Sequence, residues 1–222
     1  MRLKHSILFA LLFFVGCDKD KGVGPIDISE IWPLKSGNVW LYRVDEPPYI
    51  KDTLKMEITG MMTVSYSGQN YTVAKRAFYP VSEGVPEYQW LYWKGPDGIY
   101  FMGGVSPTDT FIVKELELKY PANVGDTWKC RSVAYSLSRK EFYVNDTLTY
   151  TLIGNDVLIE TAARNFKCYQ YRFSQKPADD VGDIWDYNYY YSVETGLIGE
   201  ETKSQLMGTT MDKYSLLQIV IK

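Results

Sequence analysis

Histidine is all but missing from this chain, with one imidazole, His5, in 222 residues. Serine–histidine–aspartate triads, cysteine–histidine dyads and histidine-ligated zinc need an imidazole held by a fold, whereas His5 belongs to an apolar leader. Most hydrolase chemistry is thereby excluded. The expectation is a non-enzyme, with no catalytic residue, metal ligand or cofactor assigned. Helical patterning is equally sparse: no stretch of a dozen residues keeps a 3.6-residue period with caps at both ends. Basic residues are scattered through a chain of formal net charge −3, which leaves no electrostatic footprint for nucleic acid. Cysteine is scarce too, with Cys17, Cys130 and Cys168 only.

What is present favours strands. The chain is 45% hydrophobic, enough for a real core, and carries 19 Tyr, 6 Trp and 9 Phe among many Val, Ile and Thr. These aromatic and β-branched side chains suit a pleated, half-buried surface. The predicted class is all-β: an antiparallel meander of roughly 10–12 strands, built as a curved sheet, half-barrel or sandwich.

The N-terminus carries the most specific signal. MRLKH supplies positive charge, SILFALLFFV is an apolar run too short to span a bilayer comfortably, and Gly16 and Cys17 end it. FVGC resembles the lipobox of bacterial lipoproteins, with Phe14 in place of the usual leucine. The resemblance implies that residues 1–16 are a signal peptide. It also implies that Cys17 becomes the lipidated first residue, a palmitate-type anchor holding the protein to a membrane of the cell envelope. Removal of residues 1–16 takes away His5 and leaves 22 basic side chains against 27 acidic ones. Residues 17–27, through DKDKGVGPID, read as the lipidated cysteine and a flexible tether.

The rest reads as two related meanders, 28–120 and 121–222, which could also form one continuous domain. PLKSGNVW (Pro33 to Trp40) returns as PANVGDTW (Pro121 to Trp128), 88 residues on. DTLKMEITG (Asp52 to Gly60) returns as DTLTYTLIG (Asp146 to Gly154), 94 residues on. Correspondences in the same order with a slowly growing offset point to an internal repeat. In P-x-x-x-G-[ND]-x-W, Gly and Asn/Asp supply a tight turn and Trp anchors the strand that follows, a structural role rather than a catalytic one. The opening PLKSGNVW, the central GDTW and the YYY…GLI pair are similar to those of uncharacterised exported bacterial lipoproteins. That resemblance implies an exported all-β domain and no active-site residues.

The candidate binding residues come from strand alternation. Trp90 and Tyr92 share one face of EYQWLYW, and Trp185, Tyr187 and Tyr189 share one face of IWDYNYYY. Aligned Tyr and Trp faces can stack on sugar rings or line a concavity that holds acyl chains, and the same alternation also serves ordinary core packing. The expected function is therefore non-catalytic binding or carriage of a lipid-like or glycan ligand. The alternative is a scaffolding lipoprotein acting through an envelope protein partner. Asp179, Asp180, Asp183 and Asp186 cluster in PADDVGDIWD, but their spacing matches no EF-hand or repeat-in-toxin loop, so solvated charge is the reading there. In an exported chain Cys130 and Cys168 fit either a disulfide or two separate buried thiols.

Overall fold

The computed structural model describes residues 31–44, 53–175, 185–204 and 210–221. Cys17, the tether and Asp179, Asp180 and Asp183 lie outside these residues. Twelve strands follow one another among the described residues: β1 (Val39–Val44), β2 (Thr53–Tyr66), β3 (Gln69–Pro80), β4 (Gln89–Gly95), β5 (Gly98–Val105) and β6 (Thr110–Lys119), then β7 (Thr127–Ser136), β8 (Glu141–Glu160), β9 (Asn165–Gln175), β10 (Trp185–Ser192), β11 (Gly196–Ser204) and β12 (Thr210–Val220). Turn chemistry sets the hairpins. Ser67 and Gly68 both have positive φ, 49° and 77°, which gives β2–β3 the tight turn whose twist matches the strands. Among the described residues a 3₁₀ turn, Val81–Glu83, breaks the strand series.

All the strands belong to one antiparallel sheet in the order β6-β5-β4-β3-β2-β1-β12-β11-β10-β9-β8-β7. The expected all-β meander is thus a nearly closed, barrel-like sheet. Its two segments meet where β1 pairs with β12, Trp40 opposite Ile219. The two end strands, β6 and β7, meet through side chains, with no backbone ladder between them among the described residues. The Trp128 indole N–H donates to the Glu117 carbonyl at 3.1 Å, and the Arg131 Nε lies 2.9 Å from the Glu115 carboxylate. Nearby, the Tyr171 hydroxyl donates to the Lys119 carbonyl at 2.9 Å.

The two PxxxG[N/D]xW segments make the same turn. The Gly37 N–H donates to the Ile58 carbonyl at 2.8 Å and the Ile58 N–H to the Asn38 carbonyl at 3.0 Å. In the second half the Gly125 N–H donates to the Leu152 carbonyl at 2.8 Å and the Leu152 N–H to the Asp126 carbonyl at 3.0 Å. Gly37 and Gly125 have φ of 87° and 96°, which a side chain would strain. A β-bulge follows at matching places, between Ile58 and Gly60 on β2 and between Leu152 and Gly154 on β8. Each bulge kinks a long strand and increases its local twist.

The interior holds the main core, where Trp40, Tyr42, Met56, Ile58, Leu152 and Leu216 are buried. The Trp40 indole N–H donates to the Thr195 carbonyl at 2.6 Å, and the Tyr42 hydroxyl to the Leu197 carbonyl at 2.9 Å. Trp32 precedes β1 and packs inside, its ring 5.1 Å from that of Tyr92 and 5.7 Å from that of Tyr191. A smaller core joins Val64, Tyr71, Val73, Leu91 and Met102. Val73 and Ala74 are neighbours on β3 yet join different cores, so this second core lies on the outer face. Beside it the Lys114 ammonium sits 4.7 Å from the Tyr71 ring, 4.8 Å from Trp93 and 5.2 Å from Tyr100.

Cys130 and Cys168 are both buried and free. Cys130 on β7 stands opposite Leu148 of β8, and Cys168 on β9 stands opposite Val157 of the same strand. The stretch of β8 between those partners is roughly 30 Å at about 3.3 Å per residue, far beyond the approximately 7 Å a bridge allows. Of the two expectations, the structure shows the separate thiols and no Cys130–Cys168 disulfide.

Candidate functional site

Residues of β2 through β11 leave a two-part cavity in the barrel. An inner compartment of about 200 Å³ is lined by Met56, Phe78, Leu197, Tyr171, Tyr191 and Glu200. A more open compartment of about 290 Å³ is lined by Trp90, Tyr92, Phe101, Leu148, Phe173 and Tyr187. Arg76, Glu117, Tyr150 and Tyr189 line both, so the two share a wall.

Local irregularities put the charged groups there. On β6, Leu118 faces Ile99 and Leu116 faces Tyr100, so the bulge between these pairs leaves Glu117 without an opposite residue. Glu117 and Leu118 consequently both line the inner compartment although they are sequence neighbours. Arg76 needs no bulge: it alternates with Ala74 and Phe78 on the inward face of β3. Its guanidinium lies 4.6 Å from the Tyr92 ring and 5.4 Å from the Trp32 ring, close enough for cation–π attraction.

Burial raises the Glu117 carboxyl above its ordinary value, opposed by the Arg76 charge and then by the Tyr92 hydroxyl, which donates to it at 3.4 Å. Burial also pushes up the phenols of Tyr150, Tyr189 and Tyr191, keeping them neutral and able to donate. All three tyrosines line the inner compartment, and Tyr191 is only 6% exposed. Phenol hydroxyls that line a cavity are completed by solvent or by a ligand that displaces it.

The structure brings together four of the five residues marked by strand alternation. Trp90 and Tyr92 of β4 and Tyr187 and Tyr189 of β10 line the same open compartment. Trp185 stands at the start of β10, opposite Ser204 and Gln175, and lines neither compartment. Alternation did not reveal Arg76, Glu117, Tyr150 and Glu200 as site residues. Tyr191 was legible as part of an aromatic run, whereas the inward turn of Glu117 depends on a bulge that leaves no clear mark in the sequence. Asp186 accepts a hydrogen bond from Ser174. Among the described residues no group of three or more His, Cys, Asp or Glu side chains could hold a metal ion, and no helix is long and apolar enough to cross a membrane.

No protein-family model matches the chain, and no curated protein matches it. Two solved structures are similar in fold extent. A candidate lipoprotein of Parabacteroides distasonis is 10% identical, with 86% of this chain and 98% of that one covered at a TM-score of 0.49. A candidate exported protein with a YmcC-like fold from Bacteroides fragilis is 10% identical, with 86% and 99% covered at a TM-score of 0.43. Neither TM-score reaches one half, so no function passes from either protein to this chain.

Proposed function

We propose that this is an exported, lipid-anchored binding protein of the bacterial cell envelope that receives a hydroxyl-rich ring, a glycan unit, in the interior of its barrel and performs no chemistry on it. The observation that carries the reading is the shared wall of the cavity. Aromatic faces from both halves surround Arg76, Glu117 and the phenols of Tyr150, Tyr189 and Tyr191. A sugar ring offers C–H faces to the aromatics and hydroxyls to the carboxylate, guanidinium and phenols. An acyl chain would offer no hydrogen bond to a phenol hydroxyl from which it displaced solvent, at a cost of about 1–3 kcal/mol each. Together the compartments fall within the roughly 300–1,000 Å³ typical of small-ligand sites.

Intrinsic tryptophan fluorescence tests this, because Trp90 stands in the open compartment. Titration with a panel of oligosaccharides should change emission, and Trp90→Phe should remove most of that change. A response to fatty acid or phospholipid with none to any glycan overturns the reading. Anchoring is tested separately: Cys17→Ser should abolish palmitate labelling and release the protein from the membrane fraction. A scaffolding role through protein contacts is the second reading, favoured by the exposed Val81, Val85 and Leu137.

A further inference from the structure

A groove of about 310 Å³ lies at the end of the barrel, between the β3–β4 connection and the β7–β8 turn, lined by Pro86, Tyr88, Tyr135, Leu137 and Lys140. It is joined to the interior cavity by an unbroken series of rings. The Tyr135 ring stacks on Tyr88 at 4.6 Å, Tyr88 lies 5.9 Å from Trp90, and Trp90 lies 5.8 Å from Phe101 in the open compartment. Phe142 flanks the series on the other side, 4.9 Å from Tyr135 and 5.6 Å from Trp90. Tyr88, Trp90 and Tyr92 share one face of their segment, as do Val133 and Tyr135 of β7, so the series runs along the strands. From Tyr88 to Tyr92 the backbone covers roughly 13 Å at about 3.3 Å per residue, longer than one sugar ring. The Tyr135 hydroxyl is buried with no hydrogen-bond partner among the described residues. At the rim the Lys140 ammonium lies 3.4 Å from the Glu87 carboxylate, so both signs of charge border the groove.

We infer that the ligand is an oligosaccharide rather than a single sugar, with its end ring in the inner compartment and its following rings laid along Trp90, Tyr88 and Tyr135 into the end groove. This rests on the glycan reading above and adds to it a chain length and a direction. Partly exposed rings in series favour an oligomer of repeating cyclic units, since each unit meets aromatic surface while its hydroxyls turn to the polar groups between them. The orphaned Tyr135 hydroxyl disfavours a hydrocarbon chain in the same groove.

Isothermal titration calorimetry of the whole folded protein with α-1,4-glucose and N-acetylglucosamine oligomers, from one ring upward, tests the inference. Affinity should rise with each added ring and then level off. Leu137→Asp alters an edge of the groove at a residue 74% exposed, where the fold should tolerate it. It should lower affinity for the longest oligomer about five- to tenfold and leave that for a single ring unchanged. Tyr135→Ala, with an unchanged circular dichroism spectrum, should do the same. Equal affinity for one ring and for many, or a length dependence untouched by both variants, overturns the extended site while leaving the interior site standing. Absence of binding by every oligomer overturns the glycan reading itself.

Discussion

The Tyr92 hydroxyl of β4 donates to the Glu117 carboxylate of β6 at 3.4 Å, over the intervening β5. The contact joins an aromatic residue visible in strand alternation to an acid that a bulge turns inward. Around it the protein keeps polar groups in a place that ordinary core packing would fill with hydrocarbon. That choice costs stability, and the cost gives the pH behaviour a definite sign.

Glu117 holds its proton more tightly in the folded protein than in the unfolded chain, because burial outweighs the Arg76 charge. Between the ordinary carboxylate value of about 4.3 and its raised value, the folded state binds more protons. The contribution of Glu117 is therefore most favourable at low pH and declines as pH rises through that window. Glu117→Gln should flatten this part of the pH–stability curve and leave the protein at least as stable at neutral pH. Thermal melts followed by circular dichroism across the acidic and neutral range check it, and a Gln variant markedly less stable at neutral pH would contradict the sign.

Gly196 opens β11 with φ of 88°, and a Cβ there would lie 2.6 Å from Cδ1 of the buried Trp32 ring. Gly196→Ala therefore combines backbone strain with overpacking, each costing about 1–3 kcal/mol. Urea unfolding should show a loss of at least about 2 kcal/mol, with the m-value unchanged.

The two thiols should be inert. Burial pushes Cys168 up to about 12 and raises Cys130 as well, and the register keeps the pair apart. A thiol reagent at neutral pH should leave both unmodified in the folded protein and react with both after unfolding in denaturant. Intact mass without reductant should show no loss of two hydrogens.

Much of the architecture was legible because it follows short-range rules. Alternation marked the strands, Ser67-Gly68 and the two Gly-Asn/Asp pairs marked turns, and the spacing of PLKSGNVW and PANVGDTW anticipated two turns that the structure builds with the same hydrogen bonds. Closure was not legible, since it depends on β6 meeting β7 through Trp128 and Arg131 rather than through a ladder with its own sequence pattern. The site was half legible for a related reason. Trp90, Tyr92, Tyr187 and Tyr189 keep a period of two, whereas Glu117 points inward only because the register shifts beside it. Trp185 obeys the same alternation as Tyr187, but its place at the strand end carries it away from the cavity.

The seam offers a test of the closure. Arg131 is about half exposed, so its pair with Glu115 should contribute less than about 1 kcal/mol, and Arg131→Ala should be nearly neutral. Trp128→Phe removes a half-buried hydrogen bond to the Glu117 carbonyl and should cost about 1–3 kcal/mol. Hydrogen exchange should show β6 and β7 exchanging faster than β2 and β3, and faster still in the Trp128 variant.

The central claim is that the interior cavity holds a polar, ring-shaped ligand. Native mass spectrometry of the protein, extracted gently from its own envelope fraction, tests it most directly. An added mass that matches a glycan is expected, and it should be lost in Tyr189→Ala, a variant that removes an aromatic wall shared by both compartments. A bare polypeptide mass that persists after envelope glycans are added back, or a fatty-acid mass in place of a glycan, would contradict it.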